Sequence, residues 1–241
     1  MKKYMVILGI AILACLGASF WCYQAESADR AMLEEKGYLN YQNVAFAQLE
    51  DGLHVGGVVS EVFACYAEEY EADYGVFRTS DDSEALYYLI PVYRWEQERA
   101  VGVDYFIGLR SEPEHFDELE KIFEQTMSGN ISGPAASCDI GHARIQRASQ
   151  EIYGYLEKWY TTEQFYENGT FLDWCVEYNL FHTSDPQQVG QRIVPYVINC
   201  DVEEGGAGNW IVFLWLAGFC AIGLVIVIIC HMRRRRAGFQ G

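Results

Sequence analysis

No acidic side chain occurs among the first 25 residues of this 241-residue chain, and none follows Glu204. Both ends are therefore purely basic, with Lys2 and Lys3 at one and Arg233, Arg234, Arg235 and Arg236 at the other. Eleven basic and all 34 acidic residues lie between them, a balance of −23 in a chain of net charge −17. A middle segment of that sign repels phosphate, which sets nucleic-acid binding aside.

Charge of either sign is missing from two long runs, Tyr4 to Tyr23 and Trp210 to Cys230. The second holds 21 residues, which at about 1.5 Å each give roughly 31 Å of helix, the thickness of a bilayer's hydrocarbon core. It lacks the polar stripe of a soluble core helix. Neither run has an ionisable residue between its ends of the kind that pumps and ion paths carry in the membrane, so transport by this chain alone is not expected. Ala14 with Ala18, and Ala217 with Ala221, give each run a small-xxx-small face for packing as a hairpin or with a partner.

Lys and Arg beside a span are retained on the cytoplasmic side. The expected layout is a cytoplasmic tail at 1–3, a span at 4–23, an outer domain at 24–208, a second span at 209–230 and a basic cytoplasmic tail at 231–241. Cleavage of the first run as a signal peptide near Ala18 or Ala25 is the alternative, although no clean A-x-A site is present. "ILAC", ending at Cys15, faintly resembles a lipoprotein box but has bulky Leu13 and a continuing apolar run. In each case the middle stays outside. The terminal basic residues have a second role open to them, contact with anionic lipid headgroups.

Catalytic and metal signatures are missing too. No CxxC occurs, which removes thioredoxin-type chemistry and a zinc ribbon. His54, His115, His142 and His182 belong to no HxH or HExxH arrangement and read as surface or partly buried side chains. There is no G-x-S-x-G elbow and no calcium loop. Ser60, His54 and Asp104 are the residue types of a triad without any spacing to support one. The acidic clusters "EEYEAD", "DDSE" and "EPEHFDELE" read as a solvated face able to attract cations or a basic partner. No catalytic residue, cofactor or metal ligand is assigned.

Of eight cysteines, Cys15, Cys220 and Cys230 sit in the apolar runs and Cys22 lies near the edge of the first. Cys65, Cys138, Cys175 and Cys200 lie between the runs, an even number in a compartment where disulfides persist. Four cysteines allow three pairings, and sequence does not choose among them.

The middle segment is rich in Tyr and Phe and long enough for one core or two small ones. Ser27 to Leu49 has helical character with Ser27 as a cap; Leu53 to Val62 reads as a strand; Phe63, Ala67, Tyr70 and Tyr74 stand at helical spacing. "LYYLIPVY" (Leu86 to Tyr93) and "AVGVDYFIGL" (Ala100 to Leu109) predict a hairpin, with Val101, Val103, Tyr105, Ile107 and Leu109 on one buried face. Pro91 places the first of these strands at an edge or a bulge. Pro113 to Met127 and Arg144 to Trp159 are amphipathic helices, a less regular helical stretch runs to Phe181, and Gln191 to Cys200 is a closing strand. "SGNISGPAAS" breaks the chain and "EEGGAGN" reads as a joint into the membrane. Strands and helices mix without strict βαβ alternation, so the class expected is an α+β extracytoplasmic domain flanked by two transmembrane helices.

The basic start, the first span, the "YYLIPV" strand, the "YFIGL" strand and the second span together resemble an uncharacterised family of two-span membrane proteins from gut Firmicutes. That resemblance implies a bacterial plasma membrane and carries no activity. Tyr87, Tyr88 and Tyr93, on the expected edge strand, are the candidates for a partner-binding patch, since Tyr is favoured at interfaces. The function expected is a membrane-tethered binding or interaction module, an accessory subunit of an envelope complex being one form of it. Its partners would be the bilayer and a protein partner or second copy held through the spans or an edge strand. A cell-envelope hydrolase using a carboxylate pair, and a purely structural envelope protein, are the alternatives.

Overall fold

A computed structural model of the chain describes residues 2–73, 77–97, 99–129, 135–167, 169–200 and 209–237. Tyr74, residues 130–134 of the expected chain break and residues 203–208 of the expected joint lie outside these. A mixed α+β domain is bounded by two long apolar helices consistent with membrane spans. The contacts divide the chain into two units, one of residues 1–31 with 203–241 and one of residues 32–202.

In the first unit, helix α1 (Lys2–Lys36) begins as the apolar run and continues without a break past Ser27. Ser27 is therefore not a cap; its hydroxyl donates to the Gln24 carbonyl one turn back. Helix α6 (Asn209–Ala237) carries the second apolar run and the arginines. The Ser19 hydroxyl, buried between the helices, donates to the Trp210 carbonyl at 2.8 Å, and Tyr23 stacks edge-on against Trp210. Of the expected small-residue faces, Ala217 is buried whereas Ala14 and Ala221 are exposed.

In the second unit, α1 ends where Gly37, at φ +66°, takes the left-handed turn and donates to the Leu33 carbonyl. The helix expected to reach Leu49 stops there, and short strand β1 (Leu39–Asn40) and two 3-10 turns follow. Strands β2 (His54–Gly56) and β3 (Val58–Val59) replace the single strand expected at Leu53 to Val62. Gly57 between them sits at φ +136°, a conformation that ends one strand and aims the next elsewhere. Strand β4 (Ala64–Asp73) occupies the segment expected to be helical. It pairs with β5 (Phe77–Glu96) through three register shifts, between Cys65 and Ala67, Glu69 and Tyr70, and Tyr70 and Ala72. The first shift inserts Tyr66 as an extra residue on β4, which stretches the period of two there so that Phe63, Ala67 and Tyr70 mimic helical spacing; the second falls on β5.

Strand β6 (Arg99–Ser111) forms the expected hairpin with β5, from Leu86↔Ser111 to Glu96↔Arg99. Helix α2 (Phe116–Ser128) follows a 3-10 turn begun by Pro113, and short strand β7 (Cys138–Asp139) pairs with β3. The helix expected to start at Arg144 is a strand first: β8 (Ala143–Arg147) runs antiparallel to β9 (Ile193–Asn199). Helix α3 (Gln150–Thr162) opens only where the Ser149 hydroxyl accepts from the Ile152 amide. Helices α4 (Phe171–Glu177) and α5 (Pro186–Gly190) precede β9.

The main sheet has the order β1-β2-β8-β9-β6-β5-β4. Both its faces are covered. On one, Tyr88, Ile90, Val92, Tyr105, Ile107, Leu109, Ile145 and Ile198 pack with Leu119 and Ile122 of α2. On the other, Ala64, Leu89, Phe106 and Ile193 pack with Leu156 and Tyr160 of α3, Phe171 and Cys175 of α4, and Val189 of α5. Aromatic rings concentrate on this second face: Phe171 stands edge-on to Phe106 at 5.0 Å and to Phe165 at 4.9 Å between ring centres.

One bulge changes the buried face of β6. Val92 opposes Tyr105 and Tyr93 opposes Val103, so Asp104 has no partner across the hairpin. Tyr105, Ile107 and Leu109 face the first cluster as expected, but beyond the extra residue Val103 joins the second, and Val101 is exposed.

Candidate functional site

The tyrosines expected to form an edge patch are separated by the sheet. Strand β5 is internal, with β4 on one side and β6 on the other. Successive side chains point to opposite faces, so Tyr88, 3% exposed, packs in the first core cluster. Tyr87, 7% exposed, turns the other way, beside Tyr66 of β4, and donates to Glu69 Oε2 at 3.0 Å. Tyr93 is half-buried and donates to the Glu61 carboxylate.

Pro91 sits where the pairing with β4 has ended, the last partners being Ala64 and Leu89. The Gln42 side chain takes over the ladder there, its amide donating to the Pro91 carbonyl at 3.1 Å and its oxygen accepting from the Tyr93 amide at 3.0 Å. The expected edge is thus real for this stretch of β5 and is closed by a side chain.

Beside β4 and α3 lies an open groove of about 850 Å³, lined among others by Tyr66, Glu68, Glu69, Tyr87, Glu151 and Tyr155. Its floor is held by a charged network in which Arg110 Nε donates to Glu69 Oε2 at 3.1 Å, the same oxygen that accepts from Tyr87. Burial and then the Glu69 charge push the Tyr87 hydroxyl up to about 12, so it remains a donor at any ordinary pH. Glu68 accepts from Tyr70, and Glu68 and Glu151 are both exposed. With Glu69 paired to Arg110, the exposed Glu68 and Glu151 carboxylates among aromatic rings still leave a groove suited to a cation, through charge and ring-face attraction together.

A second constellation gathers on the α2 side of the sheet. His115 ends the 3-10 turn begun by Pro113, and Glu118 follows one turn later, so the two share a face. The β3–β7 ribbon, with Val59 opposite Cys138, brings the Cys138 thiol against them. One ligand atom from each of His115, Glu118 and Cys138 lies within 4.8 Å of the others. His115 Nε2 is also 3.3 Å from Glu114 Oε1. Cys138 is fully buried, His115 half-buried and Glu118 exposed. Burial, then the hydrogen bond and charge of Glu118, push the Cys138 thiol up to about 12, the opposite of an activated nucleophile.

This cluster is hardly visible in the sequence. Its one local signal is the His-x-x-Glu spacing in "HFDE"; the third member comes from 20 residues further on through strand pairing. The four cysteines between the spans are all free thiols. Cys138 and Cys175 lie in clusters on opposite faces of the sheet, which puts their pairing out of reach. Cys65 is exposed, and Cys200 packs at the margin of the cluster that contains Cys138. Ser60, His54 and Asp104 are not a triad: Asp104 is engaged by Arg192 and the Phe46 amide, and His54 pairs in β2. Lys2, Lys3 and Arg233 to Arg236 fall at the outer ends of α1 and α6.

No protein-family model matches the chain, and no curated protein matches it.

Proposed function

We propose that the chain is a membrane-tethered binding module of a bacterial plasma membrane, with both termini in the cytoplasm and residues 24–208 outside. The groove beside β4 and α3 takes a cationic ligand or the basic side chains of a partner protein. The observation that carries this reading is the groove itself, whose size lies within the range of ligand sites and whose wall combines tyrosines with Glu68, Glu69 and Glu151. The orientation rests on charge: six basic residues flank the apolar runs at the chain ends and every acidic residue lies between the runs. The resemblance to two-span Firmicutes proteins agrees with a bacterial membrane. Binding is preferred to hydrolysis because the groove carboxylates are tied to tyrosines and Arg110, and because the Cys138 thiol beside His115 retains its proton.

The test is titration of the full chain, reconstituted in nanodiscs, with oligolysine and oligoglutamate peptides. Oligolysine should bind and oligoglutamate should not, with affinity falling as salt rises. Glu68→Gln with Glu151→Gln should weaken binding, since both side chains are exposed and neither supports the core. Equal binding of both peptides, or a double variant indistinguishable from wild type, would sink the cationic groove. Orientation is tested separately by a fluorescent protein fused after Gly241, which should be shielded from protease added to intact cells.

A further inference from the structure

We infer that His115, Glu118 and Cys138 form a binding site for a zinc-type transition-metal dication. The site goes beyond the cationic groove and is made of different residues on the other side of the sheet.

The donor set decides the metal class. A cysteine sulfur, an imidazole and one carboxylate are ligands that zinc accepts in four-coordinate sites, and the thiol releases its proton to solvent as the metal takes its place. Calcium and magnesium require oxygen ligands throughout, so a site with only one carboxylate among its three close donors does not suit them. Three donor types meet here from two separate segments, with the ligand atoms within 4.8 Å of one another. That spread is wider than a bound metal would leave, and closing it asks only for side-chain movement at the two members that are not fully buried.

The fold places each ligand for its own reason. Pro113 starts the 3-10 turn that sets His115 at its end, and α2 carries Glu118 one turn on. Cys138 is fixed by its pairing with Val59 and by full burial. The gradient from buried thiol to half-buried imidazole to exposed carboxylate leaves the Glu118 side open as an entry path. Glu114, 3.3 Å from His115 Nε2, adds a carboxylate that can orient the ring. The fourth position is left to water or to Cys200, which packs against the same core cluster.

The experiment uses the full chain without a histidine tag, purified in detergent, stripped with a chelator and titrated with Co2+ and then Zn2+. Cobalt reports the ligand directly, because a thiolate–cobalt bond gives a charge-transfer band. The expected result is one equivalent of Co2+, a sulfur charge-transfer band, and displacement by Zn2+. Cys138→Ser should abolish the band, and His115→Ala and Glu118→Gln should weaken binding by more than the roughly 10–100-fold that loss of a supporting outer partner costs. Glu118→Gln guards against misfolding as the explanation, since the side chain is exposed. Absence of the band while a thiol titration finds Cys138 free would overturn the site. So would a Cys138→Ser variant that binds as wild type does. A Cys138–Cys200 disulfide, found by mass spectrometry in protein taken from membranes without reductant, would overturn it as well.

Discussion

Arg192 Nη1 lies 3.0 Å from Asp104 Oδ1, and the same nitrogen reaches the Asp104 carbonyl at 3.3 Å. Asp104 is the residue left without a partner by the bulge in the β5–β6 hairpin, so its side chain is free to turn toward the start of β9. Its other oxygen accepts from the Phe46 amide at 3.0 Å, and the Arg192 guanidinium lies 4.5 Å from the centre of the Phe46 ring. One carboxylate thus ties the hairpin, the 3-10 turn Phe46–Gln48 and the entry to β9.

Asp104→Ala removes two charge-assisted bonds and leaves the Phe46 amide without its acceptor, at a cost of about 1–3 kcal/mol. Arg192→Lys keeps the charge but loses the planar fork and the ring contact, and should cost less. Thermal unfolding of the full chain in detergent orders the two; an Asp104→Ala variant as stable as wild type would show that the bulge has no such role.

Gly108 of β6 is a close approach. A Cβ there would stand 2.5 Å from the Tyr66 hydroxyl and 3.0 Å from Val197 Cγ2. That hydroxyl is buried without a hydrogen-bond partner among the described residues. Tyr66→Phe should therefore be neutral or stabilising, whereas Gly108→Ala should destabilise. The double variant should recover part of the loss, because the phenylalanine ring lacks the atom the new methyl meets first. A cycle of the four proteins, with a coupling indistinguishable from zero, would contradict this. Gly56→Ala should be worse than Gly108→Ala, since its Cβ meets the Gly141 carbonyl, which is backbone and cannot rotate away.

Helix α4 starts with a reciprocal cap in which the Thr170 hydroxyl and amide engage Asp173 and the Asp173 amide donates back to Thr170. The Thr170 amide, then its hydroxyl, hold the Asp173 carboxyl below its ordinary range. A depressed folded-state value contributes stability above the unfolded value, near pH 4, and that contribution is lost as pH falls through the folded one. Thr170→Ala should cost about 0.5–2 kcal/mol at neutral pH. Asp173→Asn should be less stable than wild type at pH 6 and converge with it in strong acid. A gap between the two that persists unchanged to pH 2 would contradict the assignment.

Cys65 is exposed, yet burial of its sulfur and then the Glu68 charge push the thiol up to about 11. Alkylation requires the thiolate, so its rate should rise about tenfold per pH unit from pH 7 toward that value. A rate already level at pH 9 would show an ordinary thiol. Glu68→Gln should raise the rate at pH 8 by removing the neighbouring charge. With a membrane-impermeant maleimide on intact cells, the same cysteine reports which side of the membrane the domain occupies.

The two long helices and the β5–β6 hairpin were legible in the sequence because each depends on the chain's own neighbours. A long run of uncharged residues is a helix of membrane length whatever surrounds it, and uninterrupted alternation marks a strand. Pro91 also announced its own position. Where the pattern was broken by pairing, sequence misled: β4 looked helical because the extra residue Tyr66 lengthens the repeat, and β8 merged with α3 because Ile145 continues the apolar stripe of the helix beyond it. The tyrosines illustrate the same limit, since adjacency in "YYL" says that Tyr87 and Tyr88 diverge but not which one faces the groove. The sites lie furthest from sequence. Tyr66, Tyr87 and Tyr155 form one wall only because α3 packs on the β4 face of the sheet, and His115 meets Cys138 only through the β3–β7 ribbon. Membrane length, charge segregation and strand periodicity are properties of contiguous residues, and the sequence alone determined them. Which distant side chains converge depends on register, bulges and face, and those are decided only when the strands pair.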